Sequence, residues 1–275
     1  MRIGQWPLGC QARPWLQTLG REALVARLPE VMGEIAAIGF AGFETALACL
    51  PLDDPAAFQA ASAAANGLQL SGAHAGGRWW DPAAASEIAA LVAQARRLTT
   101  LGCRQLVLSM AAPPENDDAA LECAVTTLRD LGRACRAEAG VAVAFHNHAR
   151  ELADDARFFQ LLTARCTPEE VGLGADLGWV AHAGVDVGDF LRRFGSHVTY
   201  LHVRDVSAYG PAGTFREVGQ GALDYGAILG ALDQLGYTGW LVAESEFTPH
   251  WDGLTGPQET AARQFAGLRQ VIGTT

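Results

Sequence analysis

Eight times along the chain, a short apolar run of four to eight residues is followed by a longer segment with helix-like patterning. The β-like runs fall at 2–7, 42–47, 68–74, 105–110, 141–148, 171–176, 198–205 and 239–245. The helix-like segments fall near 20–38, 54–66, 83–101, 117–138, 155–166, 187–194, 224–236 and 256–272. Strands that alternate with helices pair in parallel, because each helix carries the chain back across the sheet, and the helices then cover it. Eight such units without a linker or a break in composition fit closure into a barrel. The expectation is an α/β chain, a single-domain (β/α)8 barrel of the TIM type over residues 1–275. The alternative, an open doubly wound sheet, usually carries a glycine-rich fingerprint after its first strand, and none is present here.

Local signals agree. In REALVARLPEVMGEIAAIG the final Gly39 follows the last apolar position as a helix stop. Leu101-Gly102, Leu131-Gly132 and Leu235-Gly236 read as further ends or turns. Asp54-Pro55 and Asp81-Pro82 read as an N-cap followed by a proline in the first turn.

Composition removes several function classes. There is no lysine among the 275 residues, which excludes Schiff-base chemistry on a lysine amine. The net charge is -10 and no arginine cluster is present, so nucleic acid is not an expected partner. No apolar run approaches the roughly 20 residues that span a bilayer, and MRIGQWPLGC lacks the core of a signal peptide. A cytoplasmic enzyme with no membrane partner is expected, with a homo-oligomer left open. The six cysteines, at 10, 49, 103, 123, 135 and 166, form no CxxC pair and read as reduced and packed.

The chemistry gathers where strands end, the side of such a barrel that carries active sites. The run VAVAFHNHARE ends in His146, Asn147 and His148, with His146 and His148 on one face. VGLGADLGW ends in Asp176. In VTYLHVRD, Tyr200, His202 and Arg204 share a face, and in GWLVAESE Glu244 and Glu246 do. Earlier strands contribute Glu44 in GFETAL and His74 in LSGAHAG. Singly, each has a bland reading as a capping, hydrogen-bonded or solvated residue. Four consecutive strands ending in His146, Asp176, His202 and Glu244 are harder to read so, because an unpaired charge in a low-dielectric mouth is costly. One divalent cation would satisfy all four.

Several segments resemble the xylose-isomerase-like barrels of sugar isomerases and epimerases. They are FHNHARE, GADLGWVAHAGVD, YLHVRD, REVGQGALDYGAILGALDQLGYTGWLVAE and the N-terminal GFETA. The resemblance implies a (β/α)8 barrel with one Mn2+, Co2+, Mg2+ or Zn2+ at its mouth and places Asp176, His202 and Glu244 on family metal ligands. The best-known epimerases carry a glutamate where His146 stands. The HNH run is similar to a large branch of the superfamily and to the His-rich strand of inosose dehydratases. A symmetric proton exchange between two glutamates is thereby put in question.

The expected chemistry is proton abstraction beside a carbonyl, giving an enediolate that a Lewis-acidic metal stabilises. The substrate would be a sugar or keto-polyol, and the enzyme an isomerase or epimerase. The alternative is a dehydratase acting on a keto-inositol or keto-sugar, and behind it stands a non-catalytic sugar-binding barrel. Glu244 is the first choice of base, through the resemblance, with Glu151, His148 and Glu44 behind it. For the substrate, Glu44 and His74 offer hydrogen bonds, Arg204 a cationic fork, and Trp6, Trp79 and Trp80 an apolar wall. Gly219 and Gly221 in VGQG lie where such barrels often bind phosphate, but a lone GxG is a weak signal. His182 and His197 read as structural or exposed. His250, in FTPHWDG, reads as a loop residue near the mouth.

Overall fold

The computed structural model describes residues 6–113, 118–245 and 256–273. The apolar runs become β1 (Leu8–Gln11), β2 (Gly42–Ala46), β3 (Gln69–Gly77), β4 (Gln105–Met110), β5 (Ala142–His146), β6 (Gly172–Asp176), β7 (Val198–Val203) and β8 (Leu241–Ala243). Among the described residues these eight pair in parallel, each with its sequence neighbour, and β8 returns to β1 to close a barrel. The principal helices outside are α1 (Arg13–Leu19), α2 (Arg21–Ala26), α3 (Leu28–Ile38), α4 (Pro55–Ala64), α5 (Ile88–Thr100), α6 (Asp118–Ala139), α7 (Ala153–Arg165), α8 (Leu177–His182), α9 (Val187–Phe194), α10 (Tyr225–Gln234) and α11 (Pro257–Gly273).

The main core lies between strands and helices, with Phe43, Leu106, Phe145, Phe159, Leu173 and Leu201 among its buried members. The barrel interior is a separate, smaller cluster of Val107, Ala144, Tyr200 and Val242. Tyr200 fills most of that space and reaches Ser71 Oγ at 3.0 Å. A Cβ on Gly72 would stand 2.8 Å from its hydroxyl, so the glycine is the room that Tyr200 occupies. This plug is the floor beneath the strand ends.

Four local expectations need correction. The first strand was expected at 2–7 but runs over Leu8–Gln11. Pro7 has no N–H to give the ladder and contributes only its carbonyl, to Leu241 N at 3.0 Å. Residues 2–5 lie outside the described residues. The helix expected over 20–38 is two, α2 and α3, because Pro29 fits only the first turn of a new helix. Gly132 does not end a helix. It sits inside α6, where a Cβ would meet Glu170 O at 1.9 Å, so it marks a close backbone approach. Helix α8 was not expected and follows β6 directly.

The other caps stand. Gly39 closes α3 with φ 115°. Asp54 accepts Ala57 N–H at 3.0 Å and Asp81 accepts Ala83 N–H at 3.0 Å. All six cysteines are unpaired. Among the described residues no helix is long and apolar enough to cross a membrane.

Candidate metal centre

Strand register brings the four expected ligands to one level. His146 pairs with Gly174 across β5 and β6, Asp176 with His202 across β6 and β7, and Val203 with Ala243, the residue before Glu244. One ligand atom from each of His146, Asp176, His202 and Glu244 lies within 4.8 Å of the others. All four residues are 3% exposed or less. Two atoms bound about 2.1 Å from one ion are at most about 4.2 Å apart, so shifts of a few tenths of an ångström complete the set.

The decisive detail lies in what these atoms do not bond. His146 Nδ1, His202 Nδ1, Asp176 Oδ2 and Glu244 Oε2 are buried and have no hydrogen-bond partner of sound geometry among the described residues. His202 Nδ1 and Glu244 Oε2 are 2.7 Å apart, yet misaligned for a hydrogen bond. Buried polar atoms are nearly always satisfied. Asp176 Oδ2 and Glu244 Oε2 have ionic neighbours in Arg204 and His202, 2.8 and 2.7 Å away, whereas His146 Nδ1 has none among the described residues, and the four clustered residues offer a divalent ion a mixed N/O donor set.

Surrounding groups fix the ligands. His202 Nε2 faces Glu44 Oε2 at 2.8 Å, and Gln11 Nε2 donates to Glu44 Oε1 at 2.8 Å. With the Nε2 proton given to Glu44, the Nδ1 lone pair faces the cluster, which is the carboxylate–histidine–metal pattern. Burial pulls the His202 pKa down, but the carboxylates of Glu44 and Glu244 on either side lift it to about 10. A proton there occupies the place of a cation. Burial holds His146 well below the usual range, in the neutral form that ligates. Asp176 is also an N-cap, accepting Trp179 N–H at 2.8 Å, and its backbone N–H is held by Asn147 Oδ1 at 2.9 Å. Burial raises its carboxyl, whereas Glu244 is held low against burial by Arg204 and His202.

Arg204 is 1% exposed, with Nη2 2.8 Å from Asp176 Oδ2 and 3.5 Å from Glu244 Oε1. Its guanidinium lies 3.7 Å over the Phe215 ring. It therefore neutralises the ligand carboxylates rather than reaching into the open mouth as a free fork. A Cβ on Gly178 would lie 2.6 Å from Arg204 Cγ, which accounts for the glycine in GADLGW.

Other expected site residues divide. His74 is at the mouth, its ring 5.5 Å from His146. His148 is there too, 5.1 Å from His146, and burial together with Arg150 lowers its pKa to about 4. Trp80 is at the rim, donating to Ala111 O at 2.9 Å, while Trp79 is buried beneath it, donating to Ser109 O. Three residues are placed otherwise than expected. Glu44 is fully buried and both its oxygens are used by His202 and Gln11, so it is a positioning group rather than a substrate contact or a base. Trp6 precedes β1 and bonds Tyr237 O at 2.6 Å, at the opposite end of the barrel; the shifted first strand carries it there. Glu151 turns away from the mouth. It accepts His148 N–H at 2.8 Å, meets Arg150 Nε at 2.8 Å and lines a crevice with Met110, Leu121 and Phe158. His182 bonds Gly213 O and His197 bonds Cys166 O, as structural residues. Glu246 and His250 lie outside the described residues.

Two features escaped the sequence reading. Trp179, at the third position of α8, stands beside the centre with its ring 5.4 Å from His148 and 4.8 Å from Phe215. An Asp that both ends a strand and caps a helix would have pointed to it. The second is Asp205, fully buried, whose carboxylate accepts N–H from Val206, Gly219, Gly221 and Leu223 at 2.8–3.1 Å. The VGQG loop is thus folded around an internal carboxylate, and its amides are not free for phosphate.

Comparison with known proteins agrees with the fold. The family model described as xylose isomerase-like TIM barrel matches residues 32–270. An inosose dehydratase of Geobacillus thermodenitrificans (strain NG80-2) is 26% identical over 152 residues, covering 50% of this chain and 50% of its own length. The chain spans about half the length of such curated relatives. Among solved structures, the 3-keto-D-glucoside 4-epimerase of E. coli superposes with a TM-score of 0.72 at 18% identity, covering 96% of this chain and 99% of that one. A xylose isomerase-like TIM barrel protein from Mycobacterium smegmatis, in complex with magnesium, gives 0.71 at 18% identity over 100% and 99%.

Proposed function

The chain belongs to the xylose isomerase-like TIM-barrel family, and on that premise we propose that it is a divalent-metal-dependent isomerase or epimerase acting on a sugar or keto-polyol through an enediolate. The observation that carries this is the buried cluster of His146, Asp176, His202 and Glu244, one ligand atom of each lying within 4.8 Å of the others. These residues would hold the ion, Mn2+, Co2+, Zn2+ or Mg2+. Bound there, it supplies Lewis acidity to a carbonyl and its neighbouring hydroxyl. The metal-bearing structural neighbour supports a divalent ion.

The chain's own groups then divide the work. Glu244 is the base that takes the proton beside the carbonyl. Its other contacts, to His202 and Arg204, hold the carboxylate in place. His148 stands on the far side of His146, neutral at pH 7 and able to accept or return a proton. His74 offers a hydrogen bond to a substrate hydroxyl. Trp179 with Phe215 forms an apolar wall against which a sugar can lay its C–H face. No phosphate is needed by this site, because Asp205 already fills the loop where one would sit.

A second reading, dehydration of a keto-cyclitol or keto-sugar, is favoured by His146 in place of a carboxylate and by the inosose dehydratase relative. Both readings begin with the same proton abstraction, so one assay tests them together. With metal saturating, solvent deuterium should enter the substrate, and Glu244→Gln should slow exchange by about 100- to 10,000-fold. Exchange that survives in Glu244→Gln and vanishes in His148→Ala moves the base to His148. Product analysis separates the readings, since only dehydration loses water. A protein that takes up no Mn2+, Co2+ or Zn2+ in titration sinks both.

A further inference from the structure

His74 lines two adjoining spaces. One is a small cavity with Gln11, Arg13 and Thr45, on the inner side of the mouth. The other is an open cleft of about 620 Å³ running outward between the segment that follows β2 and the face of α5 that carries Leu91, Gln94 and Arg97. Its size is within the range of about 300–1,000 Å³ typical of small-ligand pockets. It begins at a residue whose ring is 5.5 Å from the metal ligand His146. His74 Nε2 is buried and has no hydrogen-bond partner among the described residues.

The lining suggests the occupant. Leu50, Pro51 and Leu91 give aliphatic surface, and Asp53, Gln94 and Arg97 give acceptors and donors along its edge. Arg97 is paired with Asp53, and its Nε donates to Leu52 O at 3.3 Å. Asp54 caps α4 nearby. Two carboxylates against one already paired guanidinium leave the edge acidic, which disfavours a phosphate or carboxylate substituent. No Phe, Tyr or Trp lines it, and His74 at its inner end is the one aromatic ring among the described lining residues, which disfavours an aromatic one. Aliphatic patches with interspersed donors and acceptors match a neutral, polyhydroxylated ring.

We propose that the cavity running outward from His74 is a subsite for a second sugar ring, so that the substrate is a keto-sugar carried as a glycoside, its reacting ring at the metal centre and its other ring on Leu50, Leu91, Gln94 and the Arg97–Asp53 pair. This inference rests on the function proposed above. The glycosidic bond is a spectator, and His74 bonds at the junction of the two rings.

The test compares kcat/KM for a keto-disaccharide with that for the matching keto-monosaccharide on the metal-loaded protein. The expected preference for the disaccharide is about tenfold, the effect of one or two hydrogen bonds made to the second ring. Gln94→Trp, which fills the outer cavity, should collapse that ratio toward one. Equal values for the two substrates in the wild type, or a preference that Gln94→Trp leaves intact, overturns the subsite. If no keto-sugar turns over, the function proposed above fails instead. Calorimetric titration with cellobiose and with methyl glucoside then decides the subsite without catalysis: tighter cellobiose binding that is lost in Gln94→Trp supports it, and equal affinity overturns it.

Discussion

At the scale of single residues, the site is governed by which atoms are already engaged. Glu44 exemplifies this: a buried carboxylate in a barrel strand reads as a substrate contact until His202 Nε2 is found 2.8 Å away. Its role is to set the His202 tautomer. Glu44→Gln should therefore weaken metal affinity by about 10- to 100-fold, measured by competition with a chromogenic chelator. His182→Ala, at the far end of α8, should leave that affinity unchanged. Equal losses in both variants would mean that Glu44 acts only on stability. Glu151 is a different case. Burial raises its pKa from 4.5 to about 7, against the pull of Arg150 and His148 N–H. The folded chain then keeps a proton that the unfolded chain releases at lower pH. This contribution is complete below about pH 4.5 and is lost as pH rises through about 7. In chelator, the Tm of the wild type should therefore fall relative to that of Glu151→Gln as pH goes from 5 to 8. A constant difference across that range would contradict the assignment.

At the scale of elements, glycines decide where backbone and side chain can meet. The loop after β7 is wound around Asp205, and a Cβ on Gly221 would lie 2.2 Å from Val206 O and 2.3 Å from Asp205 Oδ1. Gly221→Ala must push the loop off its carboxylate. Overpacking of this kind costs about 1–3 kcal/mol, a fall in Tm of roughly 2–12 °C for a chain of this size. Gly230, inside α10, has nothing within 4 Å of the same built atom. Gly230→Ala should gain up to about 1 kcal/mol from helix propensity. Thermal melts of the two variants check the pair, and the contrast in sign is the result that matters. Other elements were legible from sequence because their signals are local. Asp186 caps α9 over the expected 187–194, and Asp224 caps α10. The first strand and the division of α2 from α3 were missed for the same reason, a proline whose effect on hydrogen bonding outweighs the apolar pattern around it.

At the scale of the whole molecule, the helix layer carries ion pairs between neighbouring helices: Arg157 with Asp118, Arg165 with Glu122 and Arg193 with Asp155. These side chains are 39–75% exposed, so each adds at most about 1 kcal/mol. Stability rests on the core between strands and helices, while His146, Asp176, His202 and Glu244 gather buried charge at one end of the barrel. A metal that binds only the folded chain should add about 2.7 kcal/mol when free ion is 100-fold above its Kd, a rise in Tm of roughly 5–10 °C. Calorimetric scans with and without chelator should show this shift, and Asp176→Asn should abolish most of it. Equal Tm values in the wild type with and without metal would remove the centre from the fold's energetics.

Alternation of short apolar runs with amphipathic segments was enough to imply parallel strands, eight units and a barrel, because the period of side-chain burial is a property of local backbone geometry. The same alternation placed His146, Asp176, His202 and Glu244 at consecutive strand ends, and the structure gathers these four into one buried cluster that could hold a metal. What sequence could not decide is which neighbours each polar group meets. Glu44, Glu151 and Arg204 are charged residues near strand ends like the ligands. Closure of the barrel alone sends Glu44 to His202, 158 positions away, Glu151 to its own loop, and Arg204 to two carboxylates from different strands. Asp205 and Trp179 are the converse, unremarkable in the sequence and fixed by a loop and a helix that fold against the mouth. Burial and hydrogen bonding depend on contacts between distant segments, so the partners of a buried charge, unlike the period of a strand, exist only once the tertiary structure has formed.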